Sequence, residues 1–413
     1  MNWFNYKDGE LYAEDVRLLD IVKEFGTPLF VYSKATLERH ISVIDGAFAC
    51  IAHLTCYSVK ANSNSALLTI IAEHGLGADI VSGGELYRAL RAGMPPERIV
   101  FSGVGKTESE IRYALESDIL MFNVESESEL HAIDRIAGEM KKVAPIAFRI
   151  NPDINPGTHP YISTGLRTNK FGIPHKDTLR IYEEASKLSN VEVIGIDAHI
   201  GSQIIDITPF REAAERLVDL IEEIRNIGID LKIVDIGGGL GIKYNIEVPP
   251  DPVDWAQMIC PMMKKTGCRL IIEPGRSMVG NAGILVTKVL YIKQNEDKTF
   301  VVVDAGMNDL ARPSLYGSYH GIIPVKERKD KKRIVDIVGP ICESGDFIAK
   351  DREMPMPEEG DYLAVLSAGA YAMSMSSNYN SRPRAAVILA DHDSIKLVTK
   401  RETYEDLVSR ELD

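Results

Sequence analysis

Four short motifs place reactive side chains or bare backbone directly after apolar, β-branched runs. They are Tyr57-Ser-Val-Lys60-Ala-Asn62, His199-Ile-Gly-Ser202-Gln203, Gly237-Gly238-Gly239-Leu-Gly241 and Glu273-Pro-Gly275-Arg276. A partly desolvated lysine near other cations loses its proton readily and can form a Schiff base, which is one reading of Lys60; a snorkelling surface lysine is the other. The glycine run offers backbone amides without side-chain bulk, suited to a phosphate or to a tight turn. Glu273 can face a pyridine nitrogen and keep it protonated, and Arg276 can clamp a phosphate or carboxylate; a structural Glu–Arg pair is the competing reading. His199 can lie flat on a ring, with Ser202 reaching a phosphate, or be a satisfied structural histidine. Cys342 sits in the polar turn Gly339-Pro-Ile-Cys342-Glu343-Ser344, where a partly exposed thiol can donate a proton.

Residue types at fixed offsets exclude two further readings. A dinucleotide-binding GxGxxG would need glycine where Ile242 stands, and Gly105-Lys106-Thr107 lacks the P-loop glycine, since Val100 occupies that position. No carboxylate pair or His/Asp ligand cluster supports a sugar- or metal-dependent barrel enzyme, so no metal is expected.

Positioning these groups requires strands, and the sequence supplies eight candidates at 53–59, 77–81, 99–102, 120–124, 145–150, 193–199, 232–236 and 269–272. Helical spacing of apolar residues fills the gaps, as at 85–92, 127–140 and 209–227. Eight βα units without hairpin signals predict a parallel sheet closed into a (β/α)8 TIM barrel, an α/β fold whose active site lies at the C-terminal strand ends. The four motifs fall at those ends. Schiff-base lysine, phosphate cradle, pyridine-facing acid and ring-stacking histidine, in that setting, together fit pyridoxal 5′-phosphate.

Beyond about residue 279 helical periodicity fades, and runs at 284–289, 299–304, 333–338 and 362–366 predict a mostly β domain. The expected organisation is an N-terminal strand segment (1–32, with a strand at 29–32) joining that β domain, a cofactor-binding barrel (33–279) and the C-terminal β domain (280–413).

The chain has 413 residues, 45% hydrophobic and 26% charged, with 47 basic and 60 acidic residues and a net charge of −13. This balance speaks against binding nucleic acid or an anionic membrane, and no apolar run is long enough to span a bilayer. Five cysteines without CxxC spacing suggest neither a zinc site nor a disulfide framework; packing is the expected role of Cys50, Cys56, Cys260 and Cys268, and a cytoplasmic location is expected.

From about Thr27 to Leu407 the chain resembles the diaminopimelate decarboxylase family of fold-type III pyridoxal-phosphate enzymes, the alanine racemase-like class that includes ornithine and arginine decarboxylases. The likeness rests on the motifs above and on Gly77-Ala-Asp-Ile-Val-Ser-Gly-Gly84, Phe101-Ser-Gly-Val-Gly-Lys106, Thr158-His-Pro-Tyr-Ile-Ser-Thr-Gly165, Asp304-Ala-Gly-Met-Asn308, Cys342–Asp346 and Gly369-Ala-Tyr371. The Thr158–Gly165 and Cys342-Glu343-Ser344 segments look specific to the diaminopimelate branch.

The resemblance implies that Lys60 holds the cofactor covalently, His199 stacks on its ring and Glu273 pairs with its nitrogen. It places Ser202, Gly237, Gly238, Gly239, Gly275 and Arg276 around the phosphate, with Tyr371 closing the site and Cys342 as proton donor. It also implies a homodimer whose Cys342 loop enters the second subunit's site. Arg276, Arg312, Tyr316 and Tyr371 are then available to the substrate and its distal carboxylate, and Glu343 to its distal ammonium, as meso-diaminopimelate requires. The implied activity is a carboxy-lyase reaction giving L-lysine and CO2, the final step of lysine biosynthesis. A same-fold decarboxylase of ornithine, arginine or a carboxylated polyamine is the alternative. A catalytically inactive binding protein is a further one, although such relatives typically lose the lysine or cysteine retained here.

Overall fold

A computed structural model describes residues 2–155, 157, 164 and 169–412. Of the segment Thr158–Gly165, only Thr164 lies within the described residues. The chain divides into two compact units: Ile41–Ile242 with Val248–Met278, and Met1–His40 with Lys243–Glu247 and Val279–Asp413.

The first unit is the expected barrel. Its strands are β1 (His53–Ser58), β2 (Gly77–Ile80), β3 (Ile99–Phe101), β4 (Met121–Val124), β5 (Ala144–Asn151), β6 (Val191–Asp197), β7 (Ile233–Asp235) and β8 (Arg269–Ile272). All neighbours pair in parallel, and the circle closes where Leu270, Ile271 and Ile272 of β8 meet His53, Leu54 and Thr55 of β1. Short strands buried on both faces give the continuous apolar runs visible in the sequence. Leu54, Cys56, Val100, Met121, Ala147, Ile194, Ile233 and Ile271 form a packed core cluster, to which all barrel strands except β2 contribute.

The turns after several strands end in residues that also start the next helix. The side chains of Asn64, Ser82, Thr107 and Ser126 each accept a backbone N–H in the first turn of the helices Ser65–Glu73, Gly83–Arg91, Glu108–Glu116 and Glu127–Met140. These contacts satisfy donors that a helix start otherwise leaves unpaired, and they fix where each strand must stop.

The second unit is sheet-rich. One path of strands runs Phe347–Pro355, Lys332–Val338, Lys298–Val303, Gly283–Asn295, Leu29–Ser33, Ala386–Asp391 and Ser394–Thr399. Leu29–Ser33 is wholly buried, antiparallel to Gly283–Asn295 on one side and parallel to Ala386–Asp391 on the other. The N-terminal strands Phe4–Lys7 and Glu10–Ala13, the edge strand Ser394–Thr399 and the strand Phe347–Pro355 lie beyond the runs visible in the sequence, because their mixed polar composition hides the alternation.

One expectation is overturned. Cys50 and Cys260, read as packing thiols, are joined in a disulfide across 210 residues. Nearby, Phe48 packs edge-on against Trp255 of the helix Pro252–Thr266, which carries Cys260. Cys56 and Cys268 are buried thiols and Cys342 is exposed.

Barrel closure leaves little room at β2. A Cβ on Gly77 would stand 2.0 Å from the Arg98 carbonyl oxygen. Gly77→Ala is therefore expected to destabilise the protein by about 3 kcal/mol, read as a lower urea midpoint; an unchanged midpoint would contradict this packing.

Candidate active site in the barrel mouth

Lys60 lies in the turn Val59–Ala61 directly after β1, and its Nζ donates to Oδ2 of Asp79 at 2.7 Å. Asp79 comes from β2, is fully buried and also accepts the Ser58 hydroxyl at 2.8 Å. Composition gave no sign of Asp79 as Lys60's partner; its position within Gly77–Ile80 was the available signal.

Four further buried carboxyl groups share the mouth: Glu125 just after β4, Asp197 at the end of β6, Asp235 at the end of β7 and Glu273 just after β8. Burial raises Glu273 well above the usual carboxylate range, and Asp235, Asp79 and Asp197 add to the shift by repulsion. Asp197 is raised well above its usual value by burial and then by Asp235, against the pull of Arg149. Asp235 is raised to about 6 by burial, although it accepts the Gly237 amide at 2.8 Å. Oε1 of Glu273, Oδ1 of Asp197 and Oδ1 of Asp79 have no hydrogen-bond partner. Arg149 is buried and donates to Glu125 at 2.9 Å. Of these buried acids only Glu273 stands out in the sequence, in Glu273-Pro-Gly275-Arg276.

Desolvation, and then Arg149 and Lys60, push His199 well below its ordinary value, so the imidazole is neutral. Its Nδ1 accepts the Gly238 amide at 3.2 Å. That contact explains Gly237 as well, since a Cβ there would lie 2.4 Å from His199 Nδ1 and its φ is +65°. The run was expected to present free amides. Those of Gly237 and Gly238 are instead engaged by Asp235 and His199, and the amide of Gly239 makes no hydrogen bond among the described residues. A Cβ on Gly239 would meet the Gly201 carbonyl at 2.4 Å, so the loops after β6 and β7 approach through bare backbone. Ser202, on the first of these loops, accepts from Nε and Nη2 of Arg276 at 3.3 and 3.1 Å. Gly275 packs where a Cβ would meet Ser58 at 2.9 Å.

The remaining predicted residues belong to the sheet-rich unit. The helix Arg312–Tyr316 carries Arg312, which is buried, contacts His320 Nε2 at 2.9 Å and lies 4.6 Å from the Tyr244 ring centroid. Cys342 and Glu343 are exposed; the Cys342 amide donates to Asn380 at 2.7 Å, and Glu343 accepts the Tyr379 hydroxyl at 2.8 Å. Tyr371 is partly exposed with φ +55°, a left-handed conformation unusual for a tyrosine. One group of potential metal ligands stands elsewhere among the described residues, Glu127, His131 and Glu184, where Arg180 donates to both glutamates.

A lysine paired with a buried carboxylate, a neutral histidine and a buried acid with an orphaned oxygen thus stand together at the C-terminal ends of the barrel strands. The family model for the pyridoxal-binding domain of pyridoxal-dependent decarboxylases matches residues 34–280. Diaminopimelate decarboxylase of Aquifex aeolicus is 53% identical over 412 residues, covering 100% of this chain and 98% of that protein. That of Haemophilus influenzae is 50% identical, with 98% of each chain covered. The solved diaminopimelate decarboxylase of Helicobacter pylori, complexed with L-lysine, superposes with a TM-score of 0.92 at 42% identity over 95% of this chain and 98% of that one. The M. jannaschii enzyme, also with L-lysine, gives 0.93 at 40% identity over 99% and 98%. The chain belongs to the diaminopimelate decarboxylase family of pyridoxal-dependent decarboxylases.

Because Asp197, Asp235 and Glu273 have folded values above the ordinary carboxylate range, their neutral forms favour the fold. That contribution is complete below about pH 4 and is lost as pH rises, through about 6 for Asp235. The cofactor-free protein should therefore melt at progressively lower temperature between about pH 5 and 8. Asp235→Asn should flatten the early part of that fall, whereas a wild-type Tm that climbs over this range would contradict the assignment.

Proposed function

We propose that this chain is a pyridoxal-phosphate-dependent carboxy-lyase that converts meso-2,6-diaminopimelate into L-lysine and CO2, closing lysine biosynthesis as a cytoplasmic homodimer. The observation that carries the cofactor reading is the orphaned, buried Oε1 of Glu273 in a mouth that also holds Lys60. A buried carboxyl raised by its acidic neighbours favours a cationic donor, and a protonated pyridine nitrogen is one. Bound here, pyridoxal phosphate supplies a ring that takes up the electron pair left when the substrate loses its carboxyl group.

The chain's own residues supply orientation and proton control. Lys60 Nζ is the anchor, and Asp79 fixes where that nitrogen sits. His199, kept neutral and oriented through the Gly238 amide, offers a flat imidazole face to the ring. Arg276 with Ser202, the free amide of Gly239 and the bare backbone of Gly237, Gly238 and Gly275 make the phosphate side.

For the substrate, Arg276, Arg312, Tyr316 and Tyr371 receive carboxylates and Glu343 receives the distal ammonium. Burial of Arg312 supports this, because a purely cationic far end would leave that guanidinium facing like charge. Cys342 Sγ–H gives its proton to the carbon that has lost CO2. Cys342 and Glu343 act from the second subunit, so the isolated monomer is inactive. The L-lysine held by the solved relatives supports the same product.

The deciding experiment is CO2 release from meso-diaminopimelate, with and without pyridoxal phosphate, beside ornithine and arginine. Cofactor-dependent release from diaminopimelate alone is expected; release from ornithine or arginine instead would keep the cofactor reading and overturn the substrate. Lys60→Ala should abolish both turnover and the visible absorbance of the bound cofactor, and persistence of that band would sink the role of Lys60. Cys342→Ala should lower kcat by about 10²- to 10⁴-fold with the absorbance retained, whereas unchanged kcat would remove it as proton donor.

A further inference from the structure

The sheet-rich unit contains a cavity of about 320 Å³ lined by Asp304, Asn308, Asp309, Asn380, Arg382 and Arg401, among others. Its charges are unevenly satisfied. Arg401 donates to the Phe25 carbonyl at 3.2 Å, and neither Arg401 nor Arg382 forms an ion pair among the described residues. Oδ1 of Asp309 and Oδ1 of Asn308 are buried without a hydrogen-bond partner, in side chains only 1% and 2% exposed. Asp304, the other acid of the lining, already accepts from the Thr27 and Thr287 hydroxyls and the Lys288 amide. Ser381 and Tyr404, also in the lining, are exposed and connect the cavity to solvent.

We propose that this cavity binds a free α-amino acid, its carboxylate on Arg382 and Arg401 and its ammonium on Asp309 and Asn308. A simple anion would satisfy the guanidinium groups and leave two buried acceptors empty; a simple amine would do the reverse. A zwitterion with both charges on one carbon serves both sets, because an ammonium carries three donors and a carboxylate accepts bidentately from arginine. The volume lies at the small end for ligand pockets, which suits one amino acid rather than a peptide. Burial, with a smaller push from Asp304, raises Asp309 to about 7 against the pull of the Gly306 amide, Arg382 and Arg401. A cationic donor from the ligand would relieve that strain. Asn380, which lines the cavity, accepts the Cys342 amide, so the occupant would touch the same turn that holds the Cys342 loop.

The inference rests on the geometry of this unit, not on the proposed reaction. The test is calorimetric titration of the cofactor-loaded protein with L-lysine, comparing wild type with Arg382→Gln, and with acetate and methylamine as single-charge probes. If the barrel site also takes L-lysine, two equivalents per chain are expected for wild type and one for Arg382→Gln. If the barrel reading fails, one equivalent falls to none. Either result supports the cavity as an amino-acid site, provided acetate and methylamine bind far more weakly. Removal of one charged partner should weaken the cavity site by about 10- to 100-fold. Asp309→Asn serves as the second variant should Arg382→Gln not fold, as judged by circular dichroism. A stoichiometry unchanged in both variants, or acetate binding as tightly as L-lysine, would overturn the proposal.

Discussion

Closing a parallel barrel brings the ends of eight strands into one small mouth, and here five of those ends carry carboxyl groups. Asp79, Glu125, Asp197, Asp235 and Glu273 are buried there, with Lys60 and Arg149 as the neighbouring cations. Five such groups cannot all be ionised that close out of water, so protons remain on part of the set. The rest of the site follows from that crowding. Lys60 is drawn onto Asp79, Arg149 is held between Glu125 and Asp197, and Glu273 is left with an oxygen that nothing in the barrel satisfies.

The same constraint orders the backbone around His199. The imidazole is neutral because two cations and burial oppose its charge, and a neutral ring can accept an amide at Nδ1. To bring that amide close, the chain after β7 must pass within a Cβ radius of both the histidine and the Gly201 carbonyl, which only glycine permits. The glycine run thus has a steric duty alongside any duty towards a phosphate.

In the sheet-rich unit the organising element is Leu29–Ser33, a buried strand from the start of the chain that pairs with strands from near residue 285 and near residue 388. In the same unit the Cys342 loop is tied down by side chains that accept backbone amides: Asp346 accepts those of Met307 and Ile341, and Asn380 accepts that of Cys342. The thiol stays exposed while the backbone beneath it is fixed, an arrangement suited to presenting a group rather than packing it.

Much of this was legible in the sequence. Short β-branched runs alternating with helical periodicity determine eight βα units, because strands buried on both faces must be apolar throughout, and all eight strands lie within two residues of their expected ends. Lys60, His199, the glycine run and Glu273 were legible because each stands just past such a run. Tertiary structure alone decided the rest. Asp79 and Asp235 look like ordinary residues within or at the end of apolar strands until closure places them beside Lys60 and Glu273. Cys50 and Cys260 are 210 residues apart, and no local pattern records such a pairing. Local sequence fixes period and turn; burial, and with it protonation and partner choice, depends on which distant segments come to share one dry volume.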